Sequence, residues 1–202
     1  MAGGKLIKDD IDMFFVYGVY PDTRTVYIGC NNGTGDGEVD DTLAEKAIKG
    51  LHLIDLPRTA NKPITVILNT PGGDEYQGMA IYDAIRDCQS IVNVKVYGQA
   101  SSMGSIILQA GDSRILMPNS IVMIHYGSPV HVDMGSHPKM NYNWIDESKR
   151  FDGWMEDLFL EKIKEKHPRF TRKKIQDMLE HDTIIQASDA VALGLADKIQ
   201  GD

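Results

Sequence analysis

Asn69-Thr70-Pro71-Gly72-Gly73 and Gly98-Gln99-Ala100-Ser101-Ser102-Met103-Gly104 are the two segments of this chain whose residue types could do chemistry together. The paired glycines of the first are free to take positive φ, so a turn there can present backbone N–H groups to an anion. The second sets a serine pair between a strand-like run and a helical run. A helix N-terminus favours negative charge, so a serine nucleophile and the donors for a developing oxyanion can share one corner of the chain. That is equipment for acyl transfer. A serine hydroxyl is a weak nucleophile near neutral pH and needs a base within hydrogen-bond reach, with a carboxylate to orient the base. Taken singly, each candidate also has an ordinary structural use. Ser102 could cap the helix that follows it, and Gly72-Gly73 could form a plain turn. His125 closes the apolar run Ile121-Val122-Met123-Ile124, where a histidine is commonly a core or edge residue, and Asp182 could end a helix that begins near Thr171.

These segments need rigid elements to hold them, and the apolar pattern supplies them. Thr25 to Gly29 reads as a strand and Asn31 to Asp41, rich in glycine, asparagine and acid, as a loop. From Thr42 a helix places Leu43, Ala47, Leu51 and Ile54 on one side and closes at Pro57. A strand over Ile64 to Leu68 leads into the glycine turn, and a helix over Glu75 to Cys88 follows, with Met79, Tyr82, Ile85 and Arg86 spaced by threes and fours. A strand over Ile91 to Tyr97 precedes the serines; a buried helix over Met103 to Ala110 and strands over Arg114 to Met117 and Ile121 to Ile124 follow. The proline-free segment from Met140 to His167 reads as one long helix whose Trp144, Phe151, Met155 and Leu158 form a narrow apolar seam. Alternating strands and helices at this length predict one α/β layered domain over residues 1–202.

Four blocks, in order, resemble the motifs of the ClpP family, the proteolytic subunit of the ATP-dependent Clp protease. They are the two segments above, then Leu116-Met117-Pro118-Asn119-Ser120-Ile121-Val122-Met123-Ile124-His125, then Glu180-His181-Asp182 followed by Ala187-Ser188-Asp189-Ala190-Val191-Ala192-Leu193-Gly194-Leu195-Ala196-Asp197. The resemblance implies a ClpP/crotonase-like spiral of strand-strand-helix units with a protruding handle helix, the handle spanning about residues 126–168. It assigns Ser102 as nucleophile, His125 as base and Asp182 as orienter. Ser101 is the rival, but the family's nucleophile stands immediately before the Met-Gly pair. The resemblance gives the oxyanion donors as the N–H groups of Gly73 and Met103, and brings Gly72, Asp74 and Glu75 close to the substrate. Carboxylates at 74 and 75 should then favour peptides with Lys or Arg near the scissile bond. The implied enzyme is a serine endopeptidase acting on polypeptides inside stacked heptameric rings, a tetradecamer joined through the handle. It needs no cofactor. The chain has no G-x-x-x-x-G-K, so a separate AAA+ unfoldase would supply unfolding energy.

Alternatives from other classes stay open at this point. One is a specialised ClpP-like peptidase without an unfoldase, as in phage capsid maturation. Another is a weakly active scaffold or regulatory homologue. A third is a coenzyme A enzyme on the crotonase frame, which would use a carboxylate base in place of Ser and His. Departures from the family pattern touch the partner and substrate surfaces: Lys5 to Pro21 differs from the axial-loop region, Tyr126-Gly127-Ser128-Pro129 follows the histidine, His181 replaces an arginine, and Asp74-Glu75 replaces less polar residues.

Bulk properties exclude other classes. A net charge of -8 argues against a nucleic-acid surface. Cys30 and Cys88 are the only cysteines and form no C-x-x-C, so no disulfide framework or cysteine zinc site is expected. The start lacks an apolar signal region and no apolar run reaches the roughly 18 residues of a membrane span, so a cytoplasmic location is expected. His131, Asp133 and His137 lack a recognised metal spacing, and Arg169, Arg172, Lys173 and Lys174 read as a solvated basic face.

Overall fold

The computed structural model of the chain describes residues 8–29, 37–59, 61–127 and 138–201. Its frame is a run of parallel strands joined by helical crossovers. An N-terminal helix α1 (Lys8–Tyr17) leads to β1 (Val19–Tyr20) and β2 (Thr25–Gly29), which pair antiparallel. Then α2 (Asp41–Ile54), β3 (Ile64–Thr70), α3 (Glu75–Asp87), β4 (Val92–Ser101), α4 (Met103–Gln109) and β5 (Ser113–Leu116) alternate. β2, β3, β4 and β5 lie parallel in that order. This is the expected α/β layering of strand and helix units.

The rest of the chain is built onto β4 and β5. β6 (Ile121–Ile124) pairs parallel with the last residues of β4, beyond the stretch that pairs with β5. A long helix α5 (Pro138–Lys166), α6 (Arg172–Leu179), β7 (Thr183–Gln186), α7 (Ala187–Leu193) and β8 (Lys198–Ile199) complete the described chain. β7 runs antiparallel to β6, and β8 runs parallel to β5.

Strand alternation explains the packing. Ile64, Val66 and Leu68 of β3, and Val92, Val94 and Val96 of β4, are buried at every second position. Leu43, Ala47, Leu51 and Ile54 of α2 form its buried face, as their spacing predicts. In α3 the buried residues are Gly78, Ile81, Ala84 and Ile85, while Met79 and Tyr82 are only partly covered. The buried stripe is thus turned from the predicted one, because Gly78 packs where the Met103 side chain needs room. All of α4 is buried. The seam read along α5 is divided: Met155 and Leu158 are buried within this chain's own core beside Phe159 and Ile163, whereas Trp144 remains half exposed. Among the described residues no helix is long and apolar enough to cross a membrane.

Candidate active site

β4 extends past the predicted end at Tyr97 to Ser101, and α4 begins at Met103, so Ser102 alone forms the corner between them. It has φ 51° and ψ −122°, a region that costs a residue with a side chain about 1–3 kcal/mol. Neighbouring bonds hold it there. Its N–H donates to the Met123 carbonyl at 2.9 Å, and its own carbonyl accepts from the Ser105 N–H at 2.9 Å and hydroxyl at 2.6 Å. Ser102 occupies the N-cap position of α4, yet its hydroxyl makes no capping bond.

The sheet register brings the partners to this corner. β6 and β7 pair Ile124 with Thr183, so the next step along the same ladder sets His125 beside Asp182. His125 Nδ1 lies 2.8 Å from Asp182 Oδ1, and His125 Nε2 lies 2.8 Å from Ser102 Oγ. A carboxylate at Nδ1 keeps the proton on that nitrogen and leaves Nε2 to accept from the serine hydroxyl. Ser101 is buried and its hydroxyl donates to Gln99 Oε1 at 2.9 Å, so Ser102 is the serine that meets the imidazole. Asp182 ends up between α6 and β7, with its side chain 67% exposed.

The glycine turn lies against the same corner. At Gly72, φ is 101° and an added Cβ would stand 2.6 Å from the Ser102 Cβ. At Gly73, φ is 149° and an added Cβ would stand 2.4 Å from the Val39 carbonyl oxygen. Val39 N–H donates to the Gly72 carbonyl and Asp74 N–H donates to the Val39 carbonyl, both at 2.8 Å. A parallel bridge made this way turns the Gly73 N–H to the side away from Val39. The Met103 N–H, at the first position of α4, has no carbonyl one turn behind it within the helix. Gly73 and Met103 line one cleft with Ser102 and His125.

Two of the expected substrate residues also hold the scaffold together. The Gly72 N–H donates to Thr70 Oγ1 at 3.1 Å and its carbonyl is taken by Val39, so Gly72 is a spacer beneath Ser102 with no free polar group for a substrate. Asp74 lines the cleft and also caps α3, its carboxylate accepting from the Gln77 N–H at 2.9 Å. Glu75 lines the cleft as well, and there burial first and then the charges of Asp152, Asp74 and Glu147 push its carboxyl above the usual glutamate range.

The cleft has a volume of about 560 Å³, and Trp144, Phe151 and Met155 of α5 form part of its wall with Ile106. Sequence reasoning assigned those α5 residues to assembly. Their helical spacing is legible in the sequence, but the surface they face depends on how α5 docks. Similarly, Arg172 of the supposed solvated basic run pairs with Asp157 and, at 2.7 Å, with buried Glu156. Glu156 also accepts from the Tyr126 hydroxyl at 2.6 Å, which ties α5 and α6 to the residue after His125. His131, Asp133 and His137 lie outside the described residues. Among the described residues no group of three metal-capable side chains comes together, and burial pushes the Cys88 thiol up to about 12, far from a reactive thiolate.

Comparison with known proteins shows which family the chain belongs to. Residues 33–202 match the family model for Clp protease. Over 163 residues the chain is 31% identical to the ATP-dependent Clp protease proteolytic subunit of Deinococcus radiodurans, a stretch covering 80% of this chain and 76% of that one. Family match and relative extend well beyond the corner that holds Ser102, and by both this chain belongs to the Clp protease family and is a serine-type peptidase.

Proposed function

We propose that the chain is an endopeptidase that cleaves polypeptides with Ser102 as nucleophile, His125 as base and Asp182 as the group that orients the imidazole. The reading is carried by the 2.8 Å contacts from Ser102 Oγ to His125 Nε2 and from His125 Nδ1 to Asp182 Oδ1. His125 takes the serine proton as Oγ attacks the scissile carbonyl, then gives it to the leaving amine; water repeats the cycle on the acyl-enzyme. The N–H groups of Gly73 and Met103 receive the oxyanion. Such a donor contributes about 10²–10³ in rate, and backbone donors serve well because they are fixed before the reaction begins.

The same reading makes the working particle a homo-oligomer of stacked heptameric rings in the cytoplasm, fed by a separate ATPase. Two things support the separate ATPase: the relative is an ATP-dependent protease by name, and the present chain contains no G-x-x-x-x-G-K for its own nucleotide site. Hydrolysis of a quenched fluorescent peptide tests the chemistry. Wild type and Ser101→Ala should turn it over, and Ser102→Ala should be inactive while melting at the same temperature. Turnover by Ser102→Ala at the wild-type rate would end the assignment.

A further inference from the structure

We propose that Glu75 makes this cleft select Lys or Arg at the substrate residue whose carbonyl Ser102 attacks, an inference that rests on the peptidase reading above. Glu75 stands in the first turn of α3, two residues after Gly73, and lines the cleft together with Ser102 and Met103. Its carboxylate reaches across to the segment following His125, for a Cβ on Gly127 would lie 2.5 Å from Glu75 Oε1. The carboxylate therefore lies between the glycine turn and the histidine segment, in the cleft that Ser102 and His125 also line.

Two properties of the surroundings define what fits. The wall beside Ser102 is apolar, made by Met103, Ile106, Phe151 and Met155. The Glu75 carboxylate has no hydrogen bond or ion pair with another described residue, and the charges that act on it are the acids Asp152, Asp74 and Glu147. Arg150, the cation that acts on the neighbouring Tyr76, is engaged by Glu147 at 2.6 Å. An apolar slot with an unpaired carboxylate at its edge matches a long aliphatic stem that ends in a cation. A norleucine side chain would cover the wall but leave the carboxylate desolvated and unpaired. A glutamate would add repulsion. Asp74 also lines the cleft, but its carboxylate is tied to the α3 N-terminus through the Gln77 N–H, whereas that of Glu75 is not.

Peptidyl diphenyl phosphonates test this, because their inactivation rate requires only the nucleophile and the cleft. The probes carry a lysine, norleucine or glutamate side chain at the phosphorus-bearing position. With wild type the lysine probe should react about fivefold faster than the norleucine probe, and the glutamate probe slowest, the advantage of lysine shrinking in high salt. Glu75→Gln should erase the lysine advantage, and Glu75→Lys should invert the ranking toward glutamate. Equal wild-type rates for lysine and norleucine, or an undiminished lysine advantage in Glu75→Gln, would overturn the assignment of Glu75. Failure of the peptidase reading looks different: no probe modifies Ser102, or Ser102→Ala is modified as fast as wild type, and the selectivity claim falls with it.

Discussion

Ser102 can serve as a nucleophile only if its hydroxyl stands clear of the backbone, and here that position depends on a strained corner held by its neighbours. Gly72 is one of those neighbours: its φ of 101° disfavours any side chain, and a Cβ there would be 2.6 Å from the Ser102 Cβ and 2.8 Å from the Ser101 carbonyl oxygen. Gly72→Ala should therefore push Ser102 away from His125. A displacement of about 1 Å at a reacting group can cost about 10²-fold, so fluorophosphonate labelling should slow by about that factor while circular dichroism shows a folded protein. The contact of Ser102 with His125 was foreshadowed in the sequence because serine at a strand-to-helix corner and glycines at a turn are chemically distinctive types. The roles of Gly72 and Asp74 were not, because whether a turn residue faces the substrate or its own scaffold depends on hydrogen bonds made to Thr70, Val39 and Gln77.

At the scale of elements, strands with clear alternation were read with correct type and nearly correct ends: β3 over Ile64–Thr70 and β6 over Ile121–Ile124. The end of β4 was read too early, since Gly98, Gln99 and Ser101 break the apolar alternation although the backbone goes on pairing with β6. β7 is not marked in the sequence, because adjacent Ile184 and Ile185 show no alternation of apolar and polar types, although in the fold Ile184 is exposed and Ile185 buried. The docking of α5 likewise cannot be read from its own seam. Leu158, 9% exposed, belongs to the core, so Leu158→Glu should fail to yield folded protein, because a buried unpaired charge costs several kcal/mol. Recovery of a stable, soluble Leu158→Glu protein would show that α5 docks differently. A second element-level contact is the clamp of Arg114 on Asp197, which fastens the segment before β8 to β5 through bonds of 2.5 and 2.6 Å. Burial raises the Asp197 carboxyl, but the Arg114 side chain and N–H outweigh it, and the group sits below the ordinary 3.8. A lowered carboxyl stabilises the fold above that ordinary value and loses this contribution as pH falls through the lower folded value. Asp197→Asn should cost about 1.5–3 kcal/mol near neutral pH, and its deficit relative to wild type should close as denaturation is measured at successively lower pH below 3.8.

The whole molecule carries apolar surface that a monomer in water would not favour. Tyr142 and Trp144 on the first half of α5 are 65% and 51% exposed, and exposed apolar patches mark contact surfaces. In the ring reading this half of α5 meets other protomers while its second half, from Met155 onward, anchors the helix to its own core. Tyr142→Glu should lower the native mass without lowering the peptide-bond chemistry of whatever protomer remains folded, and an unchanged mass would place the interface elsewhere. Trp144 is less suitable for that test because it also lines the cleft. The most direct test of the central claim is mass mapping of the wild-type protein after reaction with a fluorophosphonate. A single adduct per protomer, located on Ser102 and absent from Ser102→Ala, is the predicted result; an adduct on Ser101, or labelling that persists in Ser102→Ala, would contradict the account.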